Sequence, residues 1–151
     1  MNNAFTLTSE IIALSESSTW EGAKREWIFT HAFQRPESAC LCGKKSIINV
    51  CIITNFINDN ETEVGNCCVK KFMDMDEGEA VFISLNKLKH DIESNITGVA
   101  LDMFNETGKI TAWEYEFYSD VMKKRKKLSP KQIKYKVAVN RKFMTYYRDK
   151  S

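Results

Sequence analysis

All five cysteines of this chain fall between Cys40 and Cys68, in the fragments "CLCG", "VCII" and "GNCCVKKF". An odd number cannot close a complete disulfide framework. The first residues, "MNNAFTLTSEII", carry neither a basic n-region nor an apolar h-region, so no secretory signal is expected. Clustered thiols without such a signal favour a metal site in a reducing cytosol over disulfides. The metal expected for such a set is zinc, which takes four N or S ligands at tetrahedral positions. A structural zinc contributes on the order of 10 kcal/mol of folding energy, so a module built around one needs only a modest core.

Local pattern says where those thiols sit. "KREWIFTHAF" is rich in aromatic and β-branched residues and reads as a strand, and "IINVCIITNFI" reads as a second, mostly apolar one. "CLCGKKS" between them is a turn, so Cys40-x-Cys42-Gly43 lies at a strand junction and Cys51 lies inside a strand. "NDNE" turns the chain into "TEV", a third short strand ending at Gly65-Asn66. From Cys67 or Cys68 onward "CCVKKFM" is helical, and a thiolate at a helix start is stabilised by the positive end of the dipole. A two-cysteine turn and a helix start can supply ligands to one ion from distant segments.

Turn, hairpin and a helix opening on G-x-x-C are similar to a treble clef, in which Gly65-Asn66-Cys67-Cys68 puts Cys68 at the ligand position. More closely, "CLCG…C…VGNxCVKKF" followed by "WEYEFY…LSPKQ" resembles an uncharacterised family of phage and prophage proteins over most of Trp27 to Phe143. The resemblance implies zinc on Cys40, Cys42, Cys51 and Cys68 and a setting in the cytoplasm of a bacterial host. It brings no activity with it. The chain departs from the usual motif in having C-x-C for C-x-x-C and in placing Cys51 within a strand. Cys67, one helical step of about 100° from Cys68, is expected to point elsewhere and pack as a small hydrophobe. Which of the two faces the ion depends on the register of the helix start.

Three or four helices follow. In "GEAVFISLNKLKHDIES", Val81, Leu85, Leu88 and Ile92 form one stripe. "GVALDMFNET" is a short helix stopping at Gly108. Thr111-x-x-Glu114 is a capping box for "TAWEYEFYSDVMKK", with Trp113, Phe117 and Val121 as its expected buried stripe. Ser129, Pro130 and Gln132 supply the N-cap, N1 and N3 positions of a last helix running to about Arg148. A further helix is expected near the start, capped by Thr8 or Ser9. The longest apolar runs, "VCII" and "AVFI", are far shorter than a membrane span, so no membrane partner is expected. The expected fold class is α+β. Residues 1–76 make an N-terminal helix plus a treble-clef-like β-rich zinc module, and residues 77–151 a helical module.

The formal net charge of +2 hides a strong asymmetry. Val121–Ser151 holds twelve Lys and Arg against one acid, and the remaining 120 residues hold ten bases against nineteen acids. Lys123, Lys124, Arg125, Lys126 and Lys127 are consecutive. At about 100° per residue such a run covers every face of a helix, so it must be a solvated end or loop. In the last helix Ile133, Val137, Phe143, Met144 and Tyr147 share an arc of about 120° and are expected to be buried. Lys131, Lys134, Arg141, Lys142 and Arg148 share another. One apolar face and one basic face is the footprint of a phosphate-binding helix. Tyr135 and Tyr146 flank the basic arc, where they could stack on bases.

Catalysis is not expected. His31 and His90 are the only histidines, and four thiolates close a zinc site that catalysis needs open. Gly43-Lys44-Lys45-Ser46 lacks the first glycine of a phosphate loop, since Ser38 stands five residues before Gly43. Asp74, Asp76, Glu77 and Glu79 precede a helix, as partners of its dipole do. No small-molecule substrate is evident. The expected function is binding of nucleic acid through the basic C-terminal helix. The alternative is a phage accessory protein whose basic helix seizes an acidic host protein, to inhibit it or redirect it.

Overall fold

The computed structural model describes residues 3–148. The fold is α+β, with seven helices and a three-stranded antiparallel sheet among those residues. They form two compact units that divide between Glu79 and Ala80, inside the first turn of a helix rather than at residue 76.

The first unit holds α1 (Asn3–Ala13), α2 (Trp20–Lys24), β1 (Trp27–Ser38), β2 (Ile47–Asn55), β3 (Glu61–Gly65) and α3 (Asn66–Phe72). The strands run in the order β1-β2-β3. Pro36 and Glu37, the latter at φ 56, fall where the β1–β2 register shifts between Gln34 and Ser38. A proline is tolerated there because β1 is an edge strand. Leu7 and Ile11, one turn apart, are both fully buried, and this stripe starts α1 earlier than Thr8 or Ser9. The Thr8 hydroxyl instead donates to the carbonyl of Phe5 inside the helix. Ala32, Val50, Ile53, Val64 and Val69 are also fully buried. The segment before α2 is held by one buried carboxylate. Glu26 accepts the N–H groups of Glu16 at 2.7 Å and Ser17 at 2.8 Å, and the amide of Asn55 at 2.8 Å.

The second unit is helical: most of α4 (Glu77–His90), then α5 (Gly98–Glu106), α6 (Ala112–Lys123) and α7 (Pro130–Tyr147). Val81, Leu85 and Leu88 form the buried stripe of α4, and Gly108, at φ +74, follows the end of α5. The expected capping box of Thr111 with Glu114 is present, and the expected N-cap Ser129 forms a second one with Gln132 at N3. Two expected faces are turned. Tyr118 and Val121 are the buried residues of α6, while Trp113 lies on the surface. The buried face of α7 is Lys136, Val139, Asn140, Phe143 and Tyr147, with Ile133, Val137 and Met144 only half-buried. A polar network explains part of this. The Tyr118 hydroxyl donates to Asn140 Oδ1 at 2.6 Å, and the Asn140 amide donates to the carbonyls of Ile92 at 2.7 Å and Ser94 at 2.9 Å. Among the described residues no helix is long and apolar enough to cross a membrane.

Candidate metal centre and basic face

Beyond β1 the chain makes a tight turn closed by two backbone hydrogen bonds. The N–H of Cys40 donates to the carbonyl of Lys44 at 2.8 Å, and the N–H of Gly43 to that of Cys40 at 2.9 Å. Gly43 has φ +98, a conformation open to glycine and strained for side chains. The turn folds Cys42 back onto Cys40, whose Sγ accepts the N–H of Cys42 at 3.4 Å. The same sulfur accepts the N–H of Gly65 at 3.2 Å, where β3 passes into α3. Cys68, in the first turn of α3, completes the group. The three sulfurs of Cys40, Cys42 and Cys68 lie within 4.8 Å of one another and could hold a metal ion.

Their acidities diverge. Burial pushes the Cys40 thiol up, and pushes Cys68 up further with the charge of Cys40 adding to it. Burial also opposes ionisation of Cys42. There the N–H of Lys44 and the thiols of Cys40 and Cys68 outweigh it, and the Cys42 pKa falls below the usual thiol value. A divalent cation that binds this set displaces protons from its thiols, most readily at Cys42.

Cys51 is not brought to this group. It pairs with Val64, one residue along from the Val50–Gly65 pair. Alternation along a strand therefore sends its side chain to the opposite face from position 65, which fronts Cys40. Cys51 is fully buried, its thiol lies 3.9 Å from Asn66 Oδ1, and burial pushes its pKa up to about 12. Cys67 is exposed rather than packed, so its expected role as a small hydrophobe does not hold. It borders a cavity of about 260 Å³ that is also lined by Cys40, Cys42 and Cys68. Gly65 lines it too. A Cβ built there would stand 3.6 Å from Cys40 Sγ. The absence of a side chain at the N-cap was the sequence signal that a search for cysteines passes over.

The cations expected to contact nucleic acid lie in the second unit, which holds fourteen Lys and Arg against seven acids. Lys123 ends α6, and Lys124, Arg125, Lys126 and Lys127 follow in the connection to α7, all exposed. Lys131, Lys134 and Arg141 are exposed on the side of α7 opposite its buried face, Arg148 is its exposed, extended C-cap, and none of the four forms an ion pair among the described residues. Lys142 differs, because its ammonium meets Glu114 of α6 at 2.7 Å. Lys136 is buried, and desolvation holds its pKa below the usual lysine range against the pull of Asp91 and Glu93.

Aromatic rings stand beside these cations. Trp113 stacks on Phe117 at 5.2 Å with 7° between the planes, and Tyr135 meets both edge-on at 5.7 and 6.0 Å. Trp113 keeps 57% of its surface exposed. With Lys131 and Gln132 the three rings line a shallow recess of about 360 Å³. Comparison of the chain with protein-family models, with curated proteins and with solved structures returns no match.

Proposed function

We propose that this chain binds nucleic acid through its helical unit and carries a zinc ion in its β-rich unit. The observation that carries the first half is the exposed side of α7, where Lys131, Lys134 and Arg141, with Arg148 at the C-cap, stand away from the buried face and, among the described residues, without acidic partners. A solvated surface helix normally interleaves acids that neutralise its cations, whereas unpaired cations in a row suit a line of phosphates. The Trp113–Phe117–Tyr135 cluster adds ring surface on which bases of a single strand stack.

Zinc is the ion that suits the other unit. A tetrahedral ion with Zn–S of about 2.3 Å needs sulfurs about 3.8 Å apart, which is compatible with three sulfurs that all lie within 4.8 Å of one another. Soft thiolates select such an ion over hard cations. The N–H groups of Cys42 and Gly65 already point at Cys40 Sγ and would stabilise its charge.

The test is equilibrium binding of labelled single-stranded and duplex oligonucleotides of several sequences. Replacing Lys134, Arg141 and Arg148 together with Gln keeps helix propensity and removes only exposed charge. Affinity should fall for every sequence, and the slope of log K against log salt on duplex should flatten by up to about three, near 0.9 per lost phosphate contact. A triple variant that binds as the parent does at matched salt removes this face as the site. Absence of binding at low salt by the parent chain removes the reading. A second reading, docking onto an acidic protein, draws on the exposed Trp113, a residue type that anchors protein interfaces. Competition by a generic duplex separates the two.

A further inference from the structure

Three sulfurs make an incomplete tetrahedron. The fourth ligand has to come from somewhere, and the surroundings of the group are specific about where it does not come from. Cys51 leaves the sheet on the opposite face. Cys67 sits one residue before Cys68 at the helix start, with its side chain exposed and outside the group of three sulfurs. The position that fronts the group is Gly65, whose missing Cβ would lie 3.6 Å from Cys40 Sγ. Gly65-Asn66-Cys67-Cys68 is thus a C-x-x-C spacing with its first cysteine replaced by hydrogen. Gly65 has φ −63 and ψ 149, a conformation any residue adopts, so the backbone does not require glycine there.

The space left by that side chain is part of the cavity of about 260 Å³. Lys44, Ser46, Asn49 and Asn66 contribute polar groups around the sulfurs. This volume is below the range of about 300–1,000 Å³ usual for drug-sized ligands, so it suits a molecule of a few heavy atoms. An ion with three thiolates carries a net charge of −1, and the Lys44 ammonium offsets the charge that a fourth anionic sulfur would add.

Resting on the metal reading above, we infer that the ion held by Cys40, Cys42 and Cys68 keeps its fourth coordination position open to this cavity, where it takes a small exogenous thiol. The thiol binds as thiolate through one metal–sulfur bond, its proton passes to solvent, and any water on the ion leaves. No oxidation is involved. The centre is then a ligand-responsive site rather than a closed structural one.

Cobalt(II) in place of zinc makes each metal–thiolate bond visible as charge-transfer absorption in the near ultraviolet. The full chain, loaded with cobalt without air, is titrated with 2-mercaptoethanol. The expected result is a saturable rise of the charge-transfer intensity by about one third, the ratio of four thiolates to three. Cys67→Ala should respond as the parent does. Gly65→Cys should show the four-thiolate intensity from the start and no response to added thiol. Cobalt charge transfer that ignores the thiol overturns this inference while leaving the metal reading intact. A parent already at four-thiolate intensity that drops by about one quarter in Cys67→Ala or in Cys51→Ala overturns it as well, and names the resident ligand. No charge transfer on adding cobalt overturns the metal reading and this inference together.

Discussion

The side-chain amide of Asn55 donates to Oε1 of Glu26 at 2.8 Å, and both residues are buried. With the N–H groups of Glu16 and Ser17 on the same carboxylate, this contact ties the segment between α1 and α2 to the end of β2. The Asn55 amide, then the N–H of Glu16, hold the Glu26 pKa below the usual carboxylate value against the penalty of burial. A carboxyl depressed on folding stabilises the fold above its unfolded pKa of about 4.3, and that contribution disappears as pH falls through the folded value. Glu26→Gln should therefore lower the thermal midpoint at pH 7. The gap to the parent should narrow as pH falls below the unfolded carboxylate value of about 4.3 and the parent's own carboxylate protonates in turn. A gap that stays constant from pH 7 to acid would show that the charge of Glu26 is irrelevant.

Metal content divides the cysteines. Cys40→Ser, Cys42→Ser and Cys68→Ser should each lose most bound metal, whereas Cys51→Ser and Cys67→Ser should retain about one ion per chain by elemental analysis. Loss of metal from Cys51→Ser alone would mean that β2 turns its opposite face to the ion in the loaded protein.

Gly78 lies against Cys51. A Cβ there would stand 2.7 Å from Cys51 Sγ, 3.2 Å from Asn66 Oδ1 and 3.5 Å from the Phe29 ring. Gly78→Ala should destabilise by about 1–3 kcal/mol in urea unfolding despite the better helix propensity of alanine. Cys51→Ala, harmful by itself through the cavity it leaves, should recover part of that loss in the double variant. Additive losses would place the clash elsewhere.

The aromatic cluster separates strand types. Trp113→Ala should weaken binding of a single-stranded oligonucleotide by about 1–3 kcal/mol and that of a duplex, whose bases are already stacked, by much less. Equal losses on both would assign Trp113 to holding α6 against α7 rather than to stacking on bases.

What the sequence made legible was local chemistry. Thr111-x-x-Glu114 and Ser129-Pro130-x-Gln132 placed two helix starts because a capping box is written within four residues. Gly108 marked a helix end for the same reason. Facing was harder to read. An apolar count on α7 favours Ile133, Val137 and Met144, yet the buried arc includes Lys136, whose stem can pack while its ammonium feels Asp91 and Glu93. Trp113 looked like core because it is large and apolar, but Tyr118, with a hydroxyl that finds Asn140 and the N–H of Ile96, took the interior instead. The face taken by Cys51 was not legible, since strand alternation is fixed by a pairing partner that lies elsewhere in the chain. The exposed arc of Lys131, Lys134 and Arg141 was legible because a charged head group with no buried partner stays in solvent.

Asn140 bears on more than the interior. Apolar contacts between two helices survive a slide of one turn, about 5.4 Å, because one methyl group substitutes for another. Asn140 does not allow that freedom, since its amide reaches the carbonyls of Ile92 and Ser94 and its oxygen receives the Tyr118 hydroxyl. Displacing it would strand buried partners at about 1–3 kcal/mol each. The axial position of α7 is therefore indexed by a single side chain. Lys134 and Arg141, seven residues apart along the same helix, are graduations about 10.5 Å apart on a scale whose zero is set inside the unit, and Arg148 follows at its C-cap.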